Sequence, residues 1–216
     1  MVAPHRIVST YTTGLVPAFT APRLPTDFSD YPLPLPSTLA RATATTARLI
    51  VFSGVPGVGK STLADAVGSR LGIPVFAMDW LLGALTPFGG RHLDDLMGIG
   101  TELITTLAVR QLALGQSAIL DHPGEDLAAR ARWSSLARRA DAEFVAVHCV
   151  CSDPAVHRAR LEGRTRGIPG WHDSGAWSNV EPRIAAFPPW PASTLTIDTV
   201  APHDKNLATV LARLTA

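Results

Sequence analysis

Nine consecutive residues, Gly54-Val55-Pro56-Gly57-Val58-Gly59-Lys60-Ser61-Thr62, carry the strongest chemical signal in this chain. They fit the pattern G-x-x-x-x-G-K-[ST], in which the backbone N–H groups of a glycine-rich turn surround phosphate oxygens. In this pattern the lysine ammonium reaches the β- and γ-phosphates, and the next residue, here Ser61, ligates Mg²⁺. The chain has only two lysines, Lys60 and Lys205, among nineteen basic residues, which indicates that a lysine is specifically required here. The motif predicts a binding site for ATP and Mg²⁺.

The residues on either side of this loop predict a strand and a helix. An apolar run from Arg48 to Ser53 ends directly at the loop and is typical of a buried parallel strand. After the loop, apolar residues between positions 63 and 71 recur as they do on one side of a helix, and Gly72 follows as a stop signal. Strand, loop and helix in this order bring the positive N-terminal end of the helix to the phosphates.

Strands and helices alternate from residue 48 to the end of the chain, which predicts an α/β fold with helices on both faces of a parallel sheet. We expect the three-layer fold of phosphate-loop nucleoside triphosphate hydrolases, with five strands in the order 2-3-1-4-5. The predicted strands end at or just before Ser53, Asp79, Asp121, Val150 and Asp198. The predicted helices lie near residues 60–71, 80–85, 94–114, 125–139, 154–163, 178–186 and 203–214.

Two aspartates, Asp79 and Asp121, follow predicted strands. Ligands of such sheets bind at the carboxyl ends of the strands, so both residues are expected near the phosphate loop. Asp121 follows the apolar run 118–120, an arrangement that holds Mg²⁺ in phosphate-loop enzymes, and we assign it to the metal together with Ser61. We assign Asp79 a catalytic role. The alternative for either residue is an N-cap of the following helix.

Two motifs of other nucleotide-dependent proteins are missing from this chain. His122-Pro123-Gly124 offers no adjacent glutamate to activate water, as motor and remodelling ATPases require. The base-reading motif N-K-x-D of GTPases is also absent from the sequence. Phosphoryl transfer to a bound alcohol, with one aspartate as base, fits the remaining residues better.

Arginines are concentrated in a segment that we interpret as a lid, about residues 160–178. Arg160 and Arg164 are four residues apart, which predicts one helix face, and Arg166 lies just beyond. Mobile guanidinium groups that close over the phosphates stabilise the charge of a phosphoryl-transfer transition state. We therefore assign Arg160 and Arg164, together with Lys60, a catalytic role. We assign Arg166 to binding of the nucleotide. The alternative is a solvated helix with a surface pair between Arg158 and Glu162.

Several segments together resemble one group of enzymes. They read GVPGVGKST, FAMDWLLGAL, SAILDHPG, HCVCSDPAVHRARLEGR and LTIDT, in this order. From about Arg48 to Leu214 the chain resembles the small kinases similar to chloramphenicol 3-O-phosphotransferase, with polynucleotide-kinase and zeta-toxin domains as more distant relatives. The resemblance implies that Asp79 deprotonates the acceptor hydroxyl and that the three lid arginines contact phosphates. Residues 167–172 depart from the pattern of these enzymes, which leaves the acceptor open.

Composition bounds the remaining possibilities. The chain has 216 residues, of which 46% are hydrophobic and 17% charged, and a formal net charge of +1. This near-neutral charge argues against a nucleic-acid partner, because phosphate-backbone binding requires a basic surface. No apolar run approaches the ~18 residues of a membrane span, and no secretory signal is recognisable. Cys149 and Cys151 are two apart on a predicted strand, which suits neither a disulfide nor a metal site and predicts a reduced, cytoplasmic protein.

Residues 1–46 differ in kind from the rest. They contain seven prolines, four of them outside the run Tyr31-Pro32-Leu33-Pro34-Leu35-Pro36, and they lack an apolar period. This composition predicts an extended or disordered arm in front of a kinase domain at residues 47–216. The alternative is a peptide arm that docks on a partner or on its own domain.

The sequence thus predicts a phosphotransferase that moves the γ-phosphoryl group of ATP to a hydroxyl of a small molecule, either a metabolite or an antibiotic. Two alternatives stay open. One is a kinase of polynucleotide ends or of a sugar nucleotide, and the other is a nucleotide-binding regulator without catalysis. The oligomeric state is not predicted.

Overall fold

The computed structural model describes residues 46–89, 95–162, 164–171 and 175–215. At its centre lies a parallel sheet of five strands in the order β2-β3-β1-β4-β5, which confirms the predicted fold class. The strands span Arg48–Ser53 (β1), Val75–Ala77 (β2), Ala118–Asp121 (β3), Glu143–Val150 (β4) and Leu195–Asp198 (β5).

Seven α-helices in the described part of the chain surround this sheet. They span Lys60–Leu71 (α1), Met78–Ala84 (α2), Leu96–Ala113 (α3), Leu127–Arg139 (α4), Pro154–Leu161 (α5), Trp177–Ala186 (α6) and His203–Thr215 (α7), with a short 3-10 turn at Thr86–Phe88. Three of them begin at an aspartate whose carboxylate accepts from backbone N–H groups of the first turn, namely Asp95, Asp126 and Asp153. α1 ends at Gly72, whose φ of 67° is readily adopted only by glycine.

The central strand β1 is buried on both faces because its side chains alternate between two hydrophobic cores. Ile50 and Phe52 pack on one face with residues of α1 and α7, and with single side chains from α5 and α6. Leu49 and Val51 pack on the other face with residues of α2, α3 and α4, including the fully buried Trp133. The apolar run that predicted a buried strand therefore serves two layers of helices.

The register of the strands brings the carboxyl ends of β1, β2 and β3 together. Asp121 at the end of β3 lies opposite Phe52 of β1 on one side and opposite Ala77 of β2 on the other. β1 continues for one residue, Ser53, before the glycine-rich loop begins. The carboxylate of Asp121 is thereby held next to the start of the phosphate loop, as expected for the carboxyl edge of such a sheet.

Two local predictions were wrong. β2 ends at Ala77 and α2 begins at Met78, so Asp79 lies in the first turn of a helix and not directly after a strand. Met78 and Leu82, four residues apart, are both buried under α3, and this helical spacing starts the helix early. α5 ends at Leu161, because Glu162 has an extended backbone, so Arg164 does not share a helix face with Arg160.

Some predictions fall outside the described residues. Only Thr46 of the predicted arm at residues 1–46 is described, and residues 172–174 of the predicted lid are likewise not described. Within the described ranges, no helix is both long enough and apolar enough to cross a membrane. Cys149 and Cys151 are both free thiols.

Candidate active site

The loop between β1 and α1 has the backbone shape that its glycines predict. Gly54 and Gly57 have φ values of 142° and 86°, which other L-residues rarely adopt. A Cβ on Gly54 would lie 2.4 Å from the carbonyl oxygen of Cys149, and a Cβ on Gly57 would lie 2.2 Å from Leu161. The loop is therefore packed against β4 and α5 so closely that glycine is required at both positions.

Lys60 and Asp121 face each other beneath this loop. Both side chains are more than nine-tenths buried, and Lys60 Nζ lies 3.9 Å from Asp121 Oδ1. This separation is too long for a hydrogen bond, and within the described structure Asp121 Oδ1 has no hydrogen-bond partner. A buried carboxylate oxygen without a partner destabilises the folded protein unless a ligand binds to it. Partial burial of the Asp65 carboxyl, and secondarily the negative charge of Asp121, raises the pKa of Asp65.

The oxygen donors of Ser61 and Asp121 fit a magnesium ion. Mg²⁺ takes oxygen ligands and is commonly bound through one or two protein oxygens plus the phosphates of a nucleotide. Ser61, at the first turn of α1, and the unpartnered Asp121 Oδ1 supply that kind of donor set. The described residues contain no cluster of three or more His, Cys, Asp or Glu suited to hold a metal by themselves. The metal would therefore depend on the nucleotide for its remaining ligands.

A cavity of about 630 Å³ opens in front of the loop. We refer to it as the nucleotide cavity. Its walls come from the loop and the start of α1, from the segment after β5, and from three arginines. The lining residues are Gly57, Gly59, Lys60, Ser61, Thr62, Leu63, Arg160, Arg164, Arg166, Thr199, Val200, Ala201, Pro202, His203 and Asn206.

The segment after β5 was not predicted as part of the site. Asn206, which is buried in α7, holds it by donating from Nδ2 to the carbonyl oxygens of Asp198 and Ala201, at 3.2 and 3.1 Å. Arg160 contacts the same segment, with one guanidinium nitrogen 2.9 Å from Thr199 Oγ1 and the other 2.9 Å from its carbonyl oxygen. The rule that ligands bind at the carboxyl ends of strands, applied to β5 as well, would have found this wall.

A second cavity of about 240 Å³ adjoins the first, and we refer to it as the acceptor cavity. Lys60, Arg164 and Arg166 line both cavities. The other polar side chains are Asp79, Asp121, Asn179 and Arg183, and the apolar ones include Met78, Met97, Trp171 and Val180. A larger cavity, of about 750 Å³, lies between α4 and the 189–195 segment and contains none of the predicted site residues. Its lining offers no phosphate-binding loop, so we place the site in the first two.

Asp79 is paired in the acceptor cavity. Its Oδ2 lies 2.6 Å from Arg166 Nη2, and both side chains are largely buried. The N-cap position of α2 belongs to Ala77, without any side-chain hydrogen bond, so Asp79 does not cap that helix. Likewise, Asp126 and not Asp121 caps α4. The helix-cap alternatives for the two aspartates are therefore removed, whereas their catalytic and metal roles stay predictions.

His157 supports the phosphate loop from α5, a role that the sequence did not reveal. The side chain is almost fully buried, and its Nε2 lies 2.8 Å from the carbonyl oxygen of Pro56 within the loop. The ring also meets Trp177 edge-on at 5.2 Å between centroids. The geometry adds a hydrogen bond from α5 to the loop.

The turn after Asp121 is held by buried hydrogen bonds. His122 Nδ1 accepts from the N–H of Gly124 at 2.8 Å, so its proton lies on Nε2, which is 3.0 Å from Thr101 Oγ1. Burial, followed by the charge of Lys60, lowers the pKa of His122 to about 4. Arg130 Nε donates to the carbonyl oxygen of Gly124 at 2.5 Å. These contacts fix the course of the chain from Asp121 to Glu125.

Glu125, at the end of this turn, contacts α6. Its two carboxylate oxygens lie 2.9 Å from Nε and 3.0 Å from Nη2 of Arg183, a bidentate pair. About a third of each side chain remains exposed. Arg183 lines the acceptor cavity, so this pair sets the charge along one of its walls.

A family model described as an AAA domain matches residues 49–169, which include the loop, the two aspartates and the described lid arginines. The chain belongs to this family. No curated protein sequence matches it significantly. The narrower resemblance to chloramphenicol 3-O-phosphotransferase stays a prediction.

Solved structures share the fold of this AAA domain protein at low sequence identity. A protein assigned as a kinase from Chloroflexus aurantiacus is 23% identical, with a TM-score of 0.62, over 79% of this chain and 98% of the other. A sugar kinase from Janibacter is 17% identical, with a TM-score of 0.57, over 79% and 95%. A gluconokinase from Sinorhizobium meliloti is 18% identical, with a TM-score of 0.54, over 80% and 98%. These likenesses establish the phosphate-loop kinase fold.

Proposed function

We propose that this protein is an ATP-dependent phosphotransferase that moves the γ-phosphoryl group to a hydroxyl group of a small molecule. The observation that carries the proposal is the shared wall of the two cavities, formed by Lys60, Arg164 and Arg166. A phosphoryl group that passes from one cavity to the other stays among the same three cations. Preorganised positive charge of this kind is the main means by which proteins accelerate phosphoryl transfer.

In the proposed reaction, the acceptor oxygen forms a bond to the γ-phosphorus while the bond from that phosphorus to the bridging oxygen breaks, and ADP leaves. Asp79 takes the proton of the acceptor hydroxyl. Arg166, which contacts Asp79 Oδ2, orients this carboxylate. Lys60 reaches the β- and γ-phosphates from the end of the loop. Mg²⁺ bound by Ser61 and Asp121 would neutralise charge on those phosphates.

The size of the acceptor cavity favours a small molecule over the end of a polynucleotide. About 240 Å³ accommodates only a compact ligand, below the usual range of roughly 300–1,000 Å³ for drug-sized ligands. Sugar kinase and gluconokinase among the structural neighbours support the reaction class by analogy of fold alone. The near-neutral net charge of +1 also disfavours nucleic acid.

We also propose a reducing, cytoplasmic location for this protein. Cys149 and Cys151 are both free thiols, and disulfides are rare where the thiol pool is reduced. Burial raises the pKa of the Cys149 thiol to about 12, which keeps it protonated and unreactive.

The proposal is tested by incubating the protein with ATP, Mg²⁺ and a panel of hydroxylated metabolites and antibiotics, with mass spectrometry to detect an added phosphoryl group. Lys60→Ala should then reduce transfer about a hundredfold to a thousandfold, because one preorganised electrostatic contact to the phosphates is lost. Lys205→Ala, which removes the other lysine from an exposed position on α7, is the matched control and should retain full activity. Unchanged turnover in Lys60→Ala would show that this loop does not catalyse phosphoryl transfer.

A further inference from the structure

Three of the four cations that line the acceptor cavity, Lys60, Arg166 and Arg183, lie beside a carboxylate. Arg166 contacts Asp79 at 2.6 Å, and Lys60 faces Asp121 at 3.9 Å. Arg183 forms its bidentate pair with Glu125. Lys60, Arg164 and Arg166 also line the nucleotide cavity, where the phosphates of ATP would engage them. Arg183 is therefore the cation of this wall that belongs to the acceptor cavity and not to the nucleotide cavity.

An acidic acceptor would compete with Glu125 for Arg183. Bidentate pairs between guanidinium and carboxylate are among the stronger charge-assisted contacts, since two parallel N–H···O bonds form at once. The backbone directly before Glu125 is also fixed by the buried hydrogen bonds of Gly124 with His122 and Arg130. An acceptor carboxylate or phosphate would have to replace this preformed partner and leave Glu125 unpaired beside it. The pair thus lowers the affinity of the cavity for anions.

The rest of the cavity suits an apolar or aromatic ligand surface. Met78, Met97, Trp171 and Val180 line it from α2, α3, the loop before α6 and α6 itself. Methionine and tryptophan adapt to flat apolar ligands, and a few convergent polar groups then fix the orientation. Here Asp79 and Asn179 are polar groups of that kind, next to the shared cations.

We propose that the acceptor is an uncharged hydroxyl compound with an apolar or aromatic part, and that Glu125 sets this preference by occupying Arg183. The inference rests on the proposed function, since it concerns the acceptor of the same reaction. Glu125 acts as a specificity-determining residue through Arg183 and takes no part in the bond changes.

The test uses pairs of acceptors that share a skeleton and differ in charge. One pair is 4-(hydroxymethyl)benzamide and 4-(hydroxymethyl)benzoate, and a second is gluconamide and gluconate. Transfer from ATP and Mg²⁺ is measured as kcat/KM for each compound, and binding to the complex with Mg²⁺ and AMPPNP is measured by saturation-transfer NMR. We expect the wild-type protein to prefer the amide in each pair, and the aromatic pair to the sugar pair.

Glu125→Gln should shift this preference toward the acid by about tenfold or more, because Arg183 then has a charge-assisted contact to offer. The double variant Glu125→Gln/Arg183→Gln should lose that gain, which separates an effect through Arg183 from a general change in the loop. Glu181→Gln is the matched control, since Glu181 is exposed on the same helix α6 and does not line the cavity. It should keep the wild-type preference.

Each outcome bears on one of the two proposals. A wild-type protein that prefers the acids, or binds no member of either pair, overturns the inference about the acceptor. A folded Glu125→Gln with an unchanged preference overturns the role of Glu125. If the amides bind preferentially and no phosphoryl group is transferred, the inference is supported and the proposed reaction is contradicted. If phosphoryl groups are transferred with a preference for the acids, the proposed reaction is supported and the inference about the acceptor is contradicted.

Discussion

At the scale of single residues, Asp79 has the central chemical role, because the proposed reaction needs a proton acceptor beside the acceptor hydroxyl. Asp79→Asn keeps the shape of the side chain and removes the charge. We expect kcat to fall by roughly 10²–10⁴, with nucleotide affinity nearly unchanged. Helix stability should not change through capping, since Ala77 holds the N-cap position of α2. Single-turnover transfer beside calorimetry of AMPPNP binding checks both quantities.

Wild-type turnover in Asp79→Asn would move the base elsewhere, with Asp121 as the next carboxylate in the cavity. Asn179→Asp, which adds a carboxylate to the same cavity, is a useful companion variant. If the double variant Asp79→Asn/Asn179→Asp regains transfer, a carboxylate anywhere on this wall of the acceptor cavity can accept the proton.

Individual residues were predictable where their chemistry is tied to the backbone of a short motif. The loop from Gly54 to Thr62 could be placed from sequence because its glycines and lysine have few other uses. The pairing of Asp79 with Arg166 could not, since it joins residues 87 positions apart through a loop without regular structure. The buried hydrogen bond of His157 was hidden for a similar reason, because an isolated histidine has many packing roles.

At the scale of an element, helix α5 connects two parts of the site. His157 contacts Pro56 in the loop, Leu161 packs against Gly57, and Arg160 contacts Thr199 after β5. A helix of eight residues thus bridges the phosphate loop and the far wall of the nucleotide cavity. We expect the contacts of α5 with the loop to affect nucleotide affinity more than the rate of phosphoryl transfer.

His157→Phe tests this attachment, because it keeps an aromatic ring against Trp177 and removes the hydrogen bond to Pro56. The dissociation constant of AMPPNP should rise about fivefold to tenfold, the equivalent of one hydrogen bond of roughly 1 kcal/mol, while kcat at saturating ATP changes little. His157→Gln, whose amide nitrogen replaces Nε2, should recover part of the affinity. Calorimetry and steady-state kinetics provide the two measurements.

Arg158→Gln is the control for that experiment. Arg158 is exposed on the same helix and pairs only weakly with Glu162, at 3.4 Å between Nε and Oε1. Nucleotide affinity should stay at the wild-type value. Equal losses in His157→Phe and His157→Gln, or a fall in kcat with an unchanged dissociation constant, would contradict a positioning role through the loop.

Element boundaries show where sequence patterns reach their limit. Sequence patterns located the seven helices of the described part of the chain, yet they placed the end of α5 and the start of α2 wrongly. The end of α5 depends on Leu161, whose side chain is fixed by contacts with Gly57 and Gly175 in distant segments. Such tertiary contacts override local helix preference and leave no mark in the local sequence.

The whole molecule should lose stability as the pH falls from 7.5 to 5.0. His122 takes up its proton near pH 6.5 in the unfolded chain and near pH 4 in the folded one, so the unfolded state binds more protons between these values. The free energy of unfolding should fall by about 2 kcal/mol on account of His122 at pH 5.0. Burial also lowers the pKa of His148, which acts in the same direction.

Urea unfolding in EDTA at the two pH values measures this effect. His122→Gln should show a smaller difference between pH 7.5 and 5.0 than the wild type, whatever its absolute stability. His203→Gln, at an exposed position, should retain the wild-type difference. A pH dependence that is identical in His122→Gln and the wild type would mean that His122 is not held neutral by the fold.

At this largest scale the sequence was most informative. Alternating strands and helices predict a parallel sheet. Its strand order was expected from the phosphate-loop fold that the motif after the first strand indicates, because handedness alone allows several orders. The wall after β5 was missed since its residues, Thr199 to Pro202, have no chemical signature of their own. Their place in the site comes from topology alone.

The three cations between the two cavities have a thermodynamic consequence. Lys60, Arg164 and Arg166 face both ligands, so the free energies with which ATP and the acceptor bind are not independent. Reciprocity then requires that the factor by which ATP changes the affinity for the acceptor equals the factor by which the acceptor changes the affinity for ATP. Coupling measured with one ligand, in the presence and absence of the other, therefore gives the cooperativity of both.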